Sequence, residues 1–163
     1  MTSRGSPADA LRGTVAAAGL RVAVLVARFN ADITERLLDG ALRCLREHGA
    51  ADSDVEVLRV PGAWELPQAA ARVAALGRHD AIVTLGCVIR GETPHFDYVC
   101  DQANLGLGEV ARSCPVPLVF GVLTTEDHAQ ALARAGEGSG NKGYEVTLAA
   151  LHMVALYRSL GDA

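Results

Sequence analysis

The chain has 163 residues and a mass of 17.0 kDa, which suits one domain with a substantial core. Half of the residues are hydrophobic and 21% are charged, a composition that excludes disorder of the chain as a whole. The formal net charge of −4 argues against a nucleic-acid-binding face, and the longest apolar run, residues 22–27, is far too short to span a membrane. No secretion signal is recognisable, so we expect a cytoplasmic protein.

The first elements predicted along the chain are an arm, a strand and a helix. Residues 1–18 are weakly patterned, and we expect a tail or arm that precedes a single domain over residues 19–163. The β-branched apolar run 21–27 predicts a buried strand. The segment 32–35, Asp-Ile-Thr-Glu, matches a capping box and predicts a helix that ends at Gly49.

The rest of the chain continues to alternate between strands and helices. The predicted strands are Val55–Val60, Ala81–Ile89 and 117–123, and the predicted helices span about 64–77, 95–112, 125–135 and, after a Gly-rich turn at 136–143, the stretch to about 160. Apolar strands separated by helices predict a three-layer α/β/α sandwich around a parallel sheet. Such sheets bind ligands beyond the carboxyl ends of their strands, so the candidate site segments are 28–30, 61–65, 90–95 and 124–126.

The first two candidate segments each contain a conspicuous aromatic residue. Phe29, just after the first strand, suits either stacking on a planar ring or packing as a hydrophobic staple on the first helix. Trp64 is the only tryptophan, and its ordinary interpretation is core packing. Glu65 lies in a first helical turn, where it suits either ligand binding or a favourable interaction with the helix dipole.

The third segment, 90–95, is the richest in candidate groups. A Gly-containing turn before a helix is a ready anion site, and the hydroxyl of Thr93 adds a donor. His95 stands at the helix start, where the dipole favours the neutral base form of an imidazole. The alternative interpretation of His95 is a surface histidine that caps the helix.

Lys142 is the only lysine among 15 basic residues, which indicates either a position that needs an ammonium group or chance. The surrounding sequence GEGSGNKG at 136–143 is not a P-loop, because it lacks the glycine before the lysine and the Ser or Thr after it. The cysteines lack zinc-site or CxxC spacing, and we expect reduced thiols and no metal site. They are Cys44, Cys87, Cys100 and Cys114.

Five motifs follow one another in a specific order. They are ARFN at 27–30, PGAWELP at 61–67, GCVIRGETPHFDYV at 86–99, FGVLTTE at 120–126 and RAGEGSGNKG at 134–143. Through them, the sequence over about residues 15–160 resembles the 6,7-dimethyl-8-ribityllumazine synthases, which catalyse the penultimate step of riboflavin biosynthesis. The resemblance implies a flavodoxin-like four-stranded parallel sheet with strand order 2-1-3-4.

The resemblance also implies a reaction and a set of site residues. The family condenses 5-amino-6-(D-ribitylamino)uracil with 3,4-dihydroxy-2-butanone 4-phosphate, releases phosphate and water, and needs no metal or organic cofactor. His95 is then the proton-transfer residue, and Phe120, Arg134 and Lys142 come from a neighbouring subunit, with Arg134 on the phosphate. Glu92 can help only through its backbone, since its carboxylate would repel that phosphate. The implied substrate-binding residues are Phe29, Ala63, Trp64, Glu65, Cys87, Val88, Ile89, Glu92, Thr93, Phe120, Arg134 and Lys142.

The same resemblance implies partners. The family forms rings of five subunits. Some members stop at five or ten subunits and others pack twelve rings into a homo-oligomeric shell of sixty, which the short Gly-rich turn at 136–142, without insertion, favours here. Association with riboflavin synthase is expected on the same ground. The alternative is a catalytically silent shell protein of the same fold that binds lumazine or flavin. The set His95, Arg134 and Lys142 argues against this alternative, because a shell protein has no need of a base. A response regulator or a flavodoxin is excluded, because ARFN supplies neither paired acids nor a Ser/Thr-rich phosphate loop after the first strand.

Overall fold

The computed structural model describes residues 15–138 and 140–161. The strands are β1 (Val22–Ala27), β2 (Val55–Val60), β3 (Ala81–Ile89) and β4 (Leu118–Thr125). The α-helices are α1 (Ala31–Glu47), α2 (Leu66–Leu76), α3 (His95–Ser113), α4 (His128–Ala133) and α5 (Lys142–Ser159). Short 3₁₀ turns at Asp52–Asp54 and Ala63–Glu65 precede β2 and α2.

The strands form one parallel sheet in the order β2-β1-β3-β4. Val22 pairs with Val55 on one side and with Ala81 on the other, and Ile82 pairs with Leu118. The predicted strand order 2-1-3-4 is confirmed. Because the chain winds in opposite directions from β1 and β3, a crevice opens between their carboxyl ends.

Two apolar cores cover the two faces of the sheet. Val24 of β1 belongs to a core that includes residues of α1 and α5, whereas the next residue, Leu25, belongs to a core with residues of α2 and α3. Every residue of β1 is buried, as expected for a continuous apolar run covered on both sides. The predicted three-layer α/β/α sandwich is therefore confirmed.

The start of α1 differs from the predicted capping box at 32–35, which is wrong. The N-cap is Asn30 in the left-handed conformation (φ 60°), and its carbonyl already accepts the N–H groups of Ile33 and Thr34. Asp32 lies inside the first turn, where it pairs with His128 at 2.5 Å. Glu35 pairs with an arginine of β2. Both acidic side chains serve contacts that are distant in sequence rather than the cap.

The boundary between β4 and α4 also differs from the prediction. β4 runs to Thr125, two residues past its predicted end, because the ladder with β3 continues and the Thr125 carbonyl accepts the Arg90 N–H at 2.9 Å. The helix predicted from 125 begins at His128. The reason is its cap, since the Asp127 carboxylate accepts the Gln130 N–H at 2.8 Å.

Of the predicted arm, residues 1–14 lie outside the described residues. Ala17 is buried, and its N–H donates to the His48 carbonyl at 2.8 Å. Residues around Ala17 thus pack against the end of α1. The division of the chain at residue 18 remains a prediction.

Candidate active site

A pocket of about 510 Å³ lies at the carboxyl end of the sheet, at the crevice between β1 and β3. Its walls come from the segments that follow β1 and β2, the end of β3, the loop after it and the first turn of α3. The predicted residues that line it are Phe29, Ala63, Trp64, Glu65, Cys87, Val88, Ile89, Thr93 and His95. The structure thus brings together residues from three separate motifs.

Two large aromatic side chains at the pocket are left in contact with water. Phe29 is 73% exposed and Trp64 is 48% exposed. The core interpretation of Trp64 and the staple interpretation of Phe29 are therefore wrong, since neither side chain is buried against a helix. Exposed aromatic surface at a concave site favours contact with a ligand ring, which would cover it.

The wall below the aromatics is polar and held in place. The half-buried Glu65 accepts the Gly62 N–H through Oε2 at 3.1 Å. This bond fixes the carboxylate at the start of α2. A carboxylate has about four lone-pair sites on its two oxygens, so Glu65 keeps acceptor capacity for hydroxyl donors of a ligand.

The side chain of Asn30 ties the end of β1 to β3, since its Nδ2 donates to the Cys87 carbonyl at 2.9 Å. The thiol of Cys87 is buried at the pocket. Burial first, and the nearby Asp32 carboxylate second, raise the pKa of Cys87 to about 11. The thiol is therefore protonated at neutral pH and is not a nucleophile there.

The loop after β3 carries the polar groups of the opposite rim. Gly91 and Thr93 line the pocket, and His95 is the first residue of α3 with an exposed side chain. Glu92 is exposed and does not line the pocket. That placement agrees with a carboxylate that takes no direct part in anion binding.

Phe120, Arg134 and Lys142 do not join this pocket in the monomer. They line a second pocket of about 410 Å³ at the edge strand β4, and the two pockets share no lining residue. The backbone N–H of Lys142 donates to the backbone carbonyl of Arg134 at 2.8 Å, which holds the two basic residues next to each other. Lys142 Nζ also lies 2.9 Å from Oε1 of Glu145.

Six lining residues were not named individually as site residues. Asn30, Pro61, Gly62 and Gly91 lie within the predicted site segments, whereas Phe96 and Val99 lie outside them. Val99 lies four residues after His95 on α3, so helical spacing from that residue could have found it, whereas the adjacent Phe96 does not follow from that spacing. Asn30 lay within a recognised motif, but its bond to β3 depends on the folded sheet.

Over residues 15–138 and 140–161, no group of three or more His, Cys, Asp or Glu side chains is placed to hold a metal ion. In that same part of the chain, no helix has both the length and the apolar character needed to cross a membrane.

A sequence model described as 6,7-dimethyl-8-ribityllumazine synthase matches residues 19–158 of the chain. The chain belongs to the 6,7-dimethyl-8-ribityllumazine synthase family. Membership in the lumazine synthases makes it a transferase of riboflavin biosynthesis.

Named relatives share most of their length with this chain. It is 49% identical to 6,7-dimethyl-8-ribityllumazine synthase of Chlorobium phaeobacteroides over 148 residues, which cover 91% of this chain and 96% of the relative. It is also 49% identical to the synthase of Desulfatibacillum aliphaticivorans over 146 residues, or 90% and 94% of the two chains. The synthase of Chlorobium chlorochromatii is 43% identical over 152 residues, or 93% and 98%. The family model thus spans the chain from before β1 into the last turn of α5.

Proposed function

We propose that the protein condenses 5-amino-6-(D-ribitylamino)uracil with 3,4-dihydroxy-2-butanone 4-phosphate to form 6,7-dimethyl-8-ribityllumazine, with release of phosphate and water. The observation that carries this proposal is one pocket that combines exposed aromatic rings, a fixed carboxylate and a histidine beside a glycine-containing loop. Each feature matches a part of the two substrates.

The aromatic side of the pocket suits the pyrimidine. Phe29 and Trp64 flank the ring and its ribityl chain, which covers apolar surface that the free protein exposes. Glu65 accepts hydrogen bonds from the ribityl hydroxyls, while Ala63, a small buried residue, lets the chain approach the backbone. Cys87, Val88 and Ile89 form the edge of the pocket beneath the ring.

The loop side of the pocket suits the phosphate. Thr93 and the backbone N–H groups that begin at Glu92 precede the N-terminus of α3, a place that favours anions. A neighbouring subunit brings Arg134, whose guanidinium fits two phosphate oxygens at once, and Lys142, which adds a second positive charge.

The reaction needs proton transfer and positioning more than a strong nucleophile. The amine of the uracil attacks the ketone and forms an imine with loss of one water, phosphate is eliminated, and the ring closes with loss of a second water. His95 at the rim moves protons in these steps, and the pocket holds the two substrates in reacting geometry. Cys87 takes no covalent part, since its thiol is neutral.

A site divided between two pockets calls for an oligomer. In a ring of five, the β4 edge of one subunit lies against the pocket of the next through head-to-tail contacts that close by rotation. Phe120 is 36% exposed and lies on that edge strand, which supports its role as a contact to a neighbouring site. We propose that twelve such rings form a shell, and that riboflavin synthase, which consumes the product, associates with it.

Light scattering on the purified protein tests the assembly. Sixty chains of 17.0 kDa predict a mass of about 1 MDa. A mass of five or ten chains would contradict the shell but not the ring. An active monomer would contradict the shared site.

A cytoplasmic location is supported by the four free cysteines Cys44, Cys87, Cys100 and Cys114, which suit a reducing compartment.

Incubation with both substrates tests the reaction. Formation of fluorescent lumazine at a rate above that of a protein-free mixture is expected, with each substrate alone as a control. If the protein is instead a catalytically silent shell, added lumazine should bind to it, but lumazine should form no faster than in the protein-free mixture. That outcome would contradict the proposed activity.

A further inference from the structure

Arg90 joins three elements at the rim of the pocket, although it is not one of the residues that line it. It is the first residue after β3, and its Nε donates to Oε2 of Glu126, just after β4, at 2.7 Å. Its Nη1 lies 3.6 Å from Oδ1 of Asp97 in the first turn of α3. Its guanidinium carbon lies 4.4 Å from the centre of the Phe96 ring.

These contacts hold both ends of the loop 91–94 with one side chain. The loop leaves β3 at Arg90 and enters α3 at His95, and the side chain of Arg90 reaches across to the first turn of that helix. Residues 91–95 are all exposed, so burial contributes little to fixing them. The orientation of the loop therefore depends on its ends.

The network continues from Glu126 into α4. The Glu126 N–H donates to Oε1 of Gln130, and the Gln130 carbonyl accepts Nη1 of Arg134 at 2.9 Å. The backbone of Glu126, whose carboxylate holds Arg90, is thus tied to α4. The Glu126 hydrogen bond also raises the pKa of Arg90, so the guanidinium is charged at every working pH.

We propose that Arg90 is a positioning residue, which orients Thr93 and His95 by bracing the loop 91–94 against Glu126 and the first turn of α3. This inference rests on the proposed function. The bracing needs a guanidinium, because one planar group must serve two carboxylates at different nitrogens while its face lies on a ring. A lysine could reach one carboxylate but could not contact both carboxylates and the ring at once.

The rival explanation is that Arg90 itself binds the substrate phosphate. The two explanations differ in what Glu126 does. If Arg90 positions the loop, loss of the Glu126 carboxylate harms catalysis as loss of the guanidinium does. If Arg90 binds phosphate, release from Glu126 leaves phosphate binding intact or strengthens it.

The experiment compares Arg90→Lys, Glu126→Gln and the double variant. Arg46→Lys is the matched control, because Arg46 makes a similar ion pair with Asp52 at 3.0 Å on an exposed surface. We expect kcat/KM for the butanone phosphate to fall about 10- to 100-fold in each single variant, with the KM for the uracil changed less than about twofold. The double variant should be no worse than either single one, as for members of one network.

The fold and phosphate binding are checked separately. Because the Arg90 side chain is 41% exposed, the midpoint of unfolding should match that of the wild type. Calorimetric titration of inorganic phosphate should show weaker binding in both single variants.

Four outcomes would overturn the inference. They are wild-type kinetics in Arg90→Lys, wild-type kinetics in Glu126→Gln beside a defective Arg90→Lys, unweakened phosphate binding in Glu126→Gln, and a lowered unfolding midpoint in both. The last would assign the network to stability. A wild-type protein that forms no lumazine would contradict the proposed function instead.

Discussion

His95 stands at the first position of α3 with its side chain exposed at the rim of the pocket, where it can move protons without supporting the core. Replacement by alanine is expected to lower kcat by about 10- to 1000-fold, the effect of losing a general acid–base group. The unfolding midpoint should not change. Steady-state rates at saturating substrates test this, with Asp101→Ala on the same helix as the control. Unaltered turnover would remove His95 from the mechanism.

Lys142 is the only lysine of the chain, and its ammonium lies 2.9 Å from a carboxylate oxygen of Glu145. Lys142→Arg keeps the charge but replaces a compact ammonium by a larger planar group. We expect kcat/KM to fall about tenfold or more, as measured under the same assay. A fully active arginine variant would show that the single lysine is a coincidence of composition.

At the scale of elements, α1 and α5 cross closely because two glycines face the crossing. A Cβ at Gly143 would overlap the Leu37 carbonyl oxygen, and one at Gly40 would overlap the side chain of Asn141. Asn141 is buried, caps α5 and donates to the Arg36 carbonyl at 3.1 Å. The crossing therefore fixes the start of α5, where Lys142 lies.

Gly143→Ala is expected to lower the free energy of unfolding by about 1–3 kcal/mol, the usual cost of overpacking. Gly136→Ala is the matched control, because a Cβ there meets no atom within 4 Å. Urea unfolding of both variants measures the difference. Equal stability of the two would contradict a close crossing of α1 and α5.

The elements also show how far the sequence determines the structure. The run at Val22–Ala27 is apolar without interruption, so its prediction as a buried strand needed no knowledge of its neighbours. The predicted start of α1 was wrong, because the carboxylate of the apparent capping residue Asp32 pairs with His128, 96 residues away. A local pattern cannot reveal a partner that only the fold brings near.

The site shows the same division. The pocket position followed from strand alternation, because carboxyl ends of parallel strands share one edge. The residues that line it came mostly from family motifs. The exposure of Trp64 could not be read from sequence, where core packing was its ordinary interpretation. The proposed bracing depends on Glu126 and Asp97 both lying beside the Arg90 guanidinium in the folded chain, which no spacing along the sequence indicates.

For the whole molecule, three buried or partly buried groups limit stability at alkaline pH. Burial raises the pKa of Cys44 to about 12 and that of Cys87 to about 11 from an ordinary 9.0. Burial and the bond to Glu47 raise the pKa of Tyr144 to about 12 from 10.0. Above pH 9 the thiols ionise in the unfolded chain but not in the folded one, so each added pH unit favours unfolding.

We therefore expect the urea midpoint of unfolding to be flat up to about pH 8.5 and to fall between about pH 9 and 11. Cys87→Ala, measured against its own neutral-pH value, should show a shallower fall. A midpoint that stays constant through this range would contradict the protected state of the thiols.

The central claim is that each active site combines the pocket of one subunit with the basic residues of the next. Co-expression of His95→Ala and Arg134→Ala chains with different tags, followed by purification on both tags, gives mixed rings. A site is intact when the pocket comes from an Arg134→Ala chain and the basic residues come from a His95→Ala chain, which random mixing gives in about a quarter of sites. The shared site predicts about a quarter of wild-type activity at limiting butanone phosphate. Activity no higher than the mean of the two parent variants would contradict it.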